Sequence, residues 1–310
     1  MSERIGRAAL PARRRPRAGK LLRTYGTGTL FFLPFFLFFI VFVIVPVVMA
    51  IILSATDYNL LQAPNFIGLD NYKTLFLDDD VFLIALKNTL TFAFIAGPLA
   101  FILSFLLAWA INQMRCRNLF ALAFYVPSIL NAIAIGVVWS YIFSPDRFGL
   151  INNFLFNLGV INEPILWNMS EKTILPIIIV IHVWMNMGTN FLVMLAGLQN
   201  TSAEVHEAGL IDGVRNRVQE LVYLTIPQLK PQMLFSAITV VTNSFAVFEI
   251  SVSFAGMPSP NYAGHTIVTH LYDYAFIRFE MGYASAVACI LFFLTFVIGR
   301  ILNHLLTSND

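Results

Sequence analysis

The chain is patterned in long stretches that carry no charge at all. No Asp, Glu, Lys or Arg occurs from Thr24 to Thr56. Charge-free windows recur at 88–114, 118–145, 173–203, 231–248 (extended to 272 across the lone Glu249) and 281–299. A helix needs about 20 apolar residues to cross a bilayer core, so each window holds one. The pattern predicts an all-α integral membrane protein with six transmembrane helices, at about 28–55, 90–113, 118–144, 174–199, 232–256 and 281–305. The first run is longer than a signal-peptide core of about 7–15 residues, which marks it as a retained helix.

Two shorter patterns lie between the spans. Leu150, Ile151, Phe154, Leu155 and Leu158 recur at helical spacing, which predicts a short helix at the outer membrane interface. Residues 200–231 form the longest polar stretch between two very apolar ones. It reads as two short helical pieces broken at Asp212-Gly213 and closed by Pro227. Thr201 followed by Glu204 is a capping-box pattern for the first piece. Gly213, without a Cβ, can adopt the left-handed conformation that stops it. Val205 and Ala208 share one face of that helix, with Gly209 beside them, so another surface could approach closely. A short capped helix with a small-residue face between two spans is a docking knob.

Composition agrees with the pattern. Of 310 residues, 58% are hydrophobic and 12% charged, against about 25% charged in a soluble domain. Residues 1–27 are a basic tail, with Arg4, Arg7, Arg13, Arg14, Arg15, Arg17, Lys20 and Arg23 against Glu3 alone. Such a tail directly before a span is a cytoplasmic anchor rather than a nucleic-acid arm. Lys and Arg mark the cytoplasmic side. With the N-terminus inside, the tail, Arg115, Arg117, Arg215, Arg217, Lys230 and Arg300 fall inside. Only Lys73, Lys87, Arg147, Lys172 and Arg278 fall outside. Both termini and the 200–231 loop are therefore expected in the cytoplasm.

The sequence offers no chemistry of its own. It contains no G-x-x-x-x-G-K-[ST] phosphate loop, no G-x-S-x-G elbow, no paired carboxylates in a span and no metal-ligand spacing among its two cysteines and five scattered histidines. No catalytic or metal residue and no bound cofactor are expected. The spans do contain polar groups too costly to face lipid: Asn131 in the third, Asn186 and Asn190 in the fourth, and Asn243, Ser244 and Glu249 in the fifth. Such groups face the bundle or an aqueous path. They are the substrate-path candidates, with inter-helix hydrogen bonding as the alternative role for each Asn.

Several of these segments carry a family resemblance. Glu207-Ala208-Gly209, Asp212-Gly213 and Leu224-Thr225-Ile226-Pro227 resemble the EAA loop of the permeases of bacterial binding-protein-dependent ABC importers. Gly209 stands where the second alanine is usual, and the Gly-to-Pro interval is one residue longer. Phe66 to Tyr72 (FIGLDNY), Phe248-Glu249 and Met281 to Ala286 (MGYASA) are similar to segments of the sugar-importer group, the first class of carbohydrate uptake transporters. The resemblance covers about residues 30–305. It implies a type I ABC importer permease fold over 28–307. It also makes Glu207, Ala208, Gly209, Asp212, Gly213 and Pro227 the residues that couple to an ATPase.

The resemblance further implies two ATP-binding subunits that hold ATP and Mg, a second, different permease and an extracellular solute-binding protein, at the bacterial cytoplasmic membrane. A self-contained channel or secondary transporter is the competing reading, but no internal repeat supports it. Spans two to five contain no Lys or Arg, so an anionic solute would lack a charge partner there. A neutral sugar or oligosaccharide is the expected substrate.

Overall fold

The structure is a computed structural model that describes residues 30–200 and 202–307. The basic tail and Thr201 lie outside the described residues. Among the described residues the fold is all helical, apart from one isolated antiparallel bridge between Thr56 and Phe66. In chain order the helices are α1 (Leu30–Leu53), α2 (Asp70–Leu77), α3 (Asp80–Asn112), α4 (Arg117–Ile129), α5 (Ala132–Ile142) and α6 (Leu150–Asn157). They continue with α7 (Glu171–Gln199), α8 (Ala203–Ile211), α9 (Arg217–Phe245), α10 (Glu249–Ala255), α11 (Ile267–Tyr272) and α12 (Met281–Thr307).

Four of these, α1, α3, α7 and α12, are long and apolar enough to cross a membrane, and α4–α5 and α9–α10 qualify as bent pairs. The bends correct the expectation of six simple spans. The 118–144 window breaks at Leu130–Asn131 with a bend of 101°. Leu130 is extended there, and Asn131 caps α5 by accepting the Ile133 N–H at 2.8 Å. The 232–256 window breaks at 246–248 with a bend of 46°.

Burial grades the helices. Every residue of α1 from Leu30 to Met49 is exposed, as suits an apolar helix with lipid or another subunit for a neighbour. α7 is the opposite and forms the centre of the fold. It packs against α3, α4 and α9. Its Ile174, Ile178 and Ile181 meet Phe92, Ala96 and Ala100 of α3 and Val240 of α9 in one core. Towards its other end, Phe191, Met194 and Leu198 pack on Phe105, Ala108 and Ile111 of α3 and on Leu229. Small residues let the helices close. A Cβ on Gly188 would run into Ser128 and the Phe124 carbonyl of α4.

The polar loop also departs from its pattern. Pro227 does not close a short helix. α9 runs through it without a break from Arg217 to Phe245, so the loop's second piece and the fifth span are one rod. A π turn at Leu221–Thr225 explains this. Pro227 thereby falls in the first turn of the α-helical segment Ile226–Phe245, where the N–H that proline lacks is not needed. Thr225 Oγ1 takes up the Glu220 carbonyl at 3.2 Å. The α6 helix forms where its spacing placed it, and its apolar positions Leu150, Phe154 and Leu158 are exposed. Asn152 is fully buried. Its amide donates to the Ser144, Asp146 and Ile165 carbonyls, and its Oδ1 accepts from Trp167 Nε1 at 2.9 Å.

Candidate functional site

Three places carry polar chemistry. The first is the loop of α8 and the start of α9. Ser202 caps α8 by accepting the Val205 N–H, one residue after the expected Thr201. The helix ends at Asp212, and Gly213 takes φ +96° with open space around the position of a Cβ. This is the left-handed stop that its sequence implied. Gly209 turns inward. A Cβ there would lie 2.5 Å from Leu224 of α9, so the glycine lets the two pieces of the loop pack on each other. It does not face outward as the closest-approach position. The outward face holds Glu204, Glu207 and Ala208, with Leu210 69% and Ile211 87% exposed. These two apolar side chains lie exposed on a polar loop helix, a feature that the motif alone did not point to. Pro227 lies in the α9 rod.

The second place is a cavity of about 250 Å³ at the α9–α10 break, lined by His182, Asn186, Asn243, Ala246, Val247, Phe248, Glu249 and Ile250. Three of the six substrate-path candidates, Asn186, Asn243 and Glu249, meet here. The others do not. Asn190 is buried between helices, accepting from Ser236 of α9 at 3.0 Å. Ser244 is fully buried on the Val240 carbonyl, and Asn131 is the α5 cap.

His182 joins this cavity without having been singled out by the sequence. The Asn186 amide donates to the His182 carbonyl at 3.0 Å and lies 3.3 Å from its Nδ1. Because the carbonyl can only accept, the nearby group is the amide nitrogen. That makes Nδ1 an acceptor and leaves the ring proton on Nε2. The Nε2 is buried and has no hydrogen-bond partner among the described residues, and the ring meets Phe92 edge to face with centroids 4.9 Å apart. A His one turn from Asn186 on α7 was the available signal. No Lys or Arg lines the cavity.

The third place is a polar cap that joins the start of α3, α11 and the start of α12. His265 and His270, scattered in the sequence, lie 3.4 Å apart, nitrogen to nitrogen. Asp79 caps α3 through the Phe82 N–H at 2.8 Å. Its other oxygen accepts from Tyr283 at 2.5 Å and Tyr274 at 3.1 Å, with His270 Nε2 at 3.3 Å. Burial alone would raise the Asp79 pKa, but these hydrogen bonds and the nearby His270 hold it below the ordinary value. Burial pushes His265 down to about 4, helped by His270 beside it, and it lowers His270 as well. Asn88 adds a clamp, donating to the Tyr262, Ala263 and His265 carbonyls.

Residues 100–308 match the family described as binding-protein-dependent transport system inner membrane component. The chain is 33% identical to the probable ABC transporter permease protein YesP of Bacillus subtilis (strain 168), over 89% of this chain and 88% of that one. It is 32% identical to the arabinooligosaccharides transport system permease protein AraP of the same organism, over 76% and 75%. A solved bacterial ABC transporter involved in the import of the acidic polysaccharide alginate superposes with a TM-score of 0.82 at 22% identity, covering 95% of this chain and 100% of that one. That likeness is one of fold.

Proposed function

The chain belongs to the inner membrane components of binding-protein-dependent transport systems, the permease subunits of ABC importers, and from that premise we propose that it passes a neutral sugar or oligosaccharide across the bacterial cytoplasmic membrane. It has six spans, two of them broken, with both termini in the cytoplasm. A second permease, two ATP-binding subunits and an extracellular solute-binding protein complete the importer, and ATP and Mg are held by the ATP-binding subunits.

One observation carries the reading. α8 offers Glu207, Ala208 and Ile211 outward while Gly209 seats it on Leu224 of α9. α9 continues as one rod to the break that lines the cavity. A push on α8 by an ATPase therefore has a stiff path to the place where a solute would sit. The positive-inside distribution of Lys and Arg supports a cytoplasmic α8.

The cavity lining supports the substrate class. It presents amide, imidazole, carboxylate and aromatic groups, without a cation to pair with an anionic sugar. The relatives' names include arabinooligosaccharides and lactose transport systems, in keeping with a sugar.

Copurification with the neighbouring gene products tests the assembly. An attached ATPase whose hydrolysis rises with the loaded binding protein is the expected result; a lone chain that conducts solute would contradict it. Uptake of neutral sugars against uronic-acid and phosphorylated ones tests the class. Transport confined to the anionic sugars would contradict it. Glu249→Ala is expected to lower uptake about tenfold while the complex still assembles, and unchanged kinetics would remove Glu249 from the path.

A further inference from the structure

Asp79 is a carboxylate with only 10% of its side chain exposed, and nothing in a transport path through the cavity requires it. The groups it holds lead to that cavity. His270 and Tyr274 belong to α11 and the π turn that follows it. The N-cap of α11 is Thr266, whose Oγ1 donates to the Val247 carbonyl at 2.9 Å. The Ile267 N–H is held by Thr89 of α3 at 2.9 Å. At the other end of α11, the Tyr272 ring lies against Phe248 with centroids 4.8 Å apart. Val247 and Phe248 line the cavity and form the break between α9 and α10.

A break in a helix leaves carbonyls without intrahelical partners, and such a segment keeps one conformation only if its surroundings fix it. Two outside contacts of the break come from the ends of α11, and Val247 also packs in the core with α3 and α7. α11 in turn is held by Thr89, by Ile267 in the core with Phe82 and Tyr283, and by Asp79, which accepts from the Tyr274 and Tyr283 hydroxyls and the Phe82 N–H and lies 3.3 Å from the His270 ring. We propose that Asp79 is a positioning residue for the substrate cavity: through α11 it sets the conformation of 246–248 at the cavity wall. It touches no solute. The importance of that wall rests on the transport reading above, whereas the mechanical link does not.

The assembled transporter, with Cys116 and Cys289 replaced, tests the link by a nitroxide label on Ala246→Cys, an exposed position at the cavity. A control label goes on Leu305→Cys, exposed near the far end of α12. Asp79→Asn is expected to raise the mobile fraction of the Ala246 label several-fold and leave the Leu305 label unchanged, with Asp79→Glu restoring much of the order. Thr266→Val cuts the link beyond the Asp79 cluster. It is expected to mobilise the same label even if Asp79→Asn does not assemble. If Thr266→Val leaves the Ala246 label ordered, or if Asp79→Asn loosens both labels equally, the positioning role is wrong. Loss of stimulated ATP hydrolysis in the unsubstituted complex would instead count against the importer reading and leave the label result standing.

Discussion

The polar cap around Asp79 and the loop of α8 are both built from polar residues between apolar helices, yet they are held in opposite ways. In the cap, His265, Thr266, Thr269 and His270 are all at most 3% exposed, and several of their hydrogen bonds join different elements, while His265 Nδ1 and His270 Nε2 have no hydrogen-bond partner among the described residues. In the loop, Glu204, Glu207, Ala208, Leu210 and Ile211 are exposed, and its contacts include the Ser202 cap, Leu224 under Gly209, the Asn216 cap of α9 and Arg217 donating to Gln113. Buried polar networks are costly when incomplete and rigid when complete. The cap is therefore the buried polar end and the loop the exposed one. The difference suits a subunit that receives a solute on one side and a mechanical push on the other.

The strongest way to break the contrast is to spoil the cap sterically. Gly282 starts α12 with its N–H on the Tyr58 carbonyl at 2.8 Å, and a Cβ there would collide with the Thr56 backbone. Gly282→Ala is expected to cost about 3 kcal/mol, the upper range for overpacking against groups that cannot move aside. A large fall in thermal midpoint would register it, and an unchanged midpoint would show the cap to be loose.

Acid should act nearly as strongly. His265 faces His270, with Asp79, Asp273 and Arg278 nearby, and its folded pKa is about 4 against an ordinary 6.5. The unfolded chain therefore takes up the proton first as pH falls. Stability is complete above about pH 6.5 and is lost progressively towards pH 4, by about 3 kcal/mol at most. Hydrogen exchange of residues 263–275 against pH is the measurement. His265→Gln should flatten the profile, and an equal acid response in that variant would assign the effect elsewhere.

The loop should yield the smallest change. Ser202→Ala removes a helix cap on an exposed helix and is expected to cost about 1 kcal/mol locally. Faster exchange confined to 203–211 would show it, with the global midpoint unchanged.

How much of this was legible in the sequence follows the same division. The apolar windows located the long helices, because lipid demands length and absence of charge and leaves little room for ambiguity. The Asp212-Gly213 stop was readable because only a residue without a Cβ takes φ +96° without strain. The run of α9 through Pro227 was not readable, since a π turn has no side-chain signature and proline ordinarily ends a helix. Nor was the meeting of Asp79 with His270 and Tyr283, which lie about 190 and 204 residues away along the chain. In the cavity, residue type located Asn186, Asn243 and Glu249. It could not separate them from Asn190, whose partner Ser236 is chosen by helix packing.

The proposed place where a separate ATPase engages this chain is the outward face of α8. Ala208→Trp combined with Ile211→Asp changes that face alone. Both side chains are exposed, and Gly209, Leu224 and every long helix are left intact. The measurement is the amount of ATP-binding subunit that copurifies with the membrane-inserted permease. The expected result is a stably inserted chain that retains less than about a tenth of the ATPase and shows no stimulated hydrolysis. A full complement of ATPase with normal transport would contradict it.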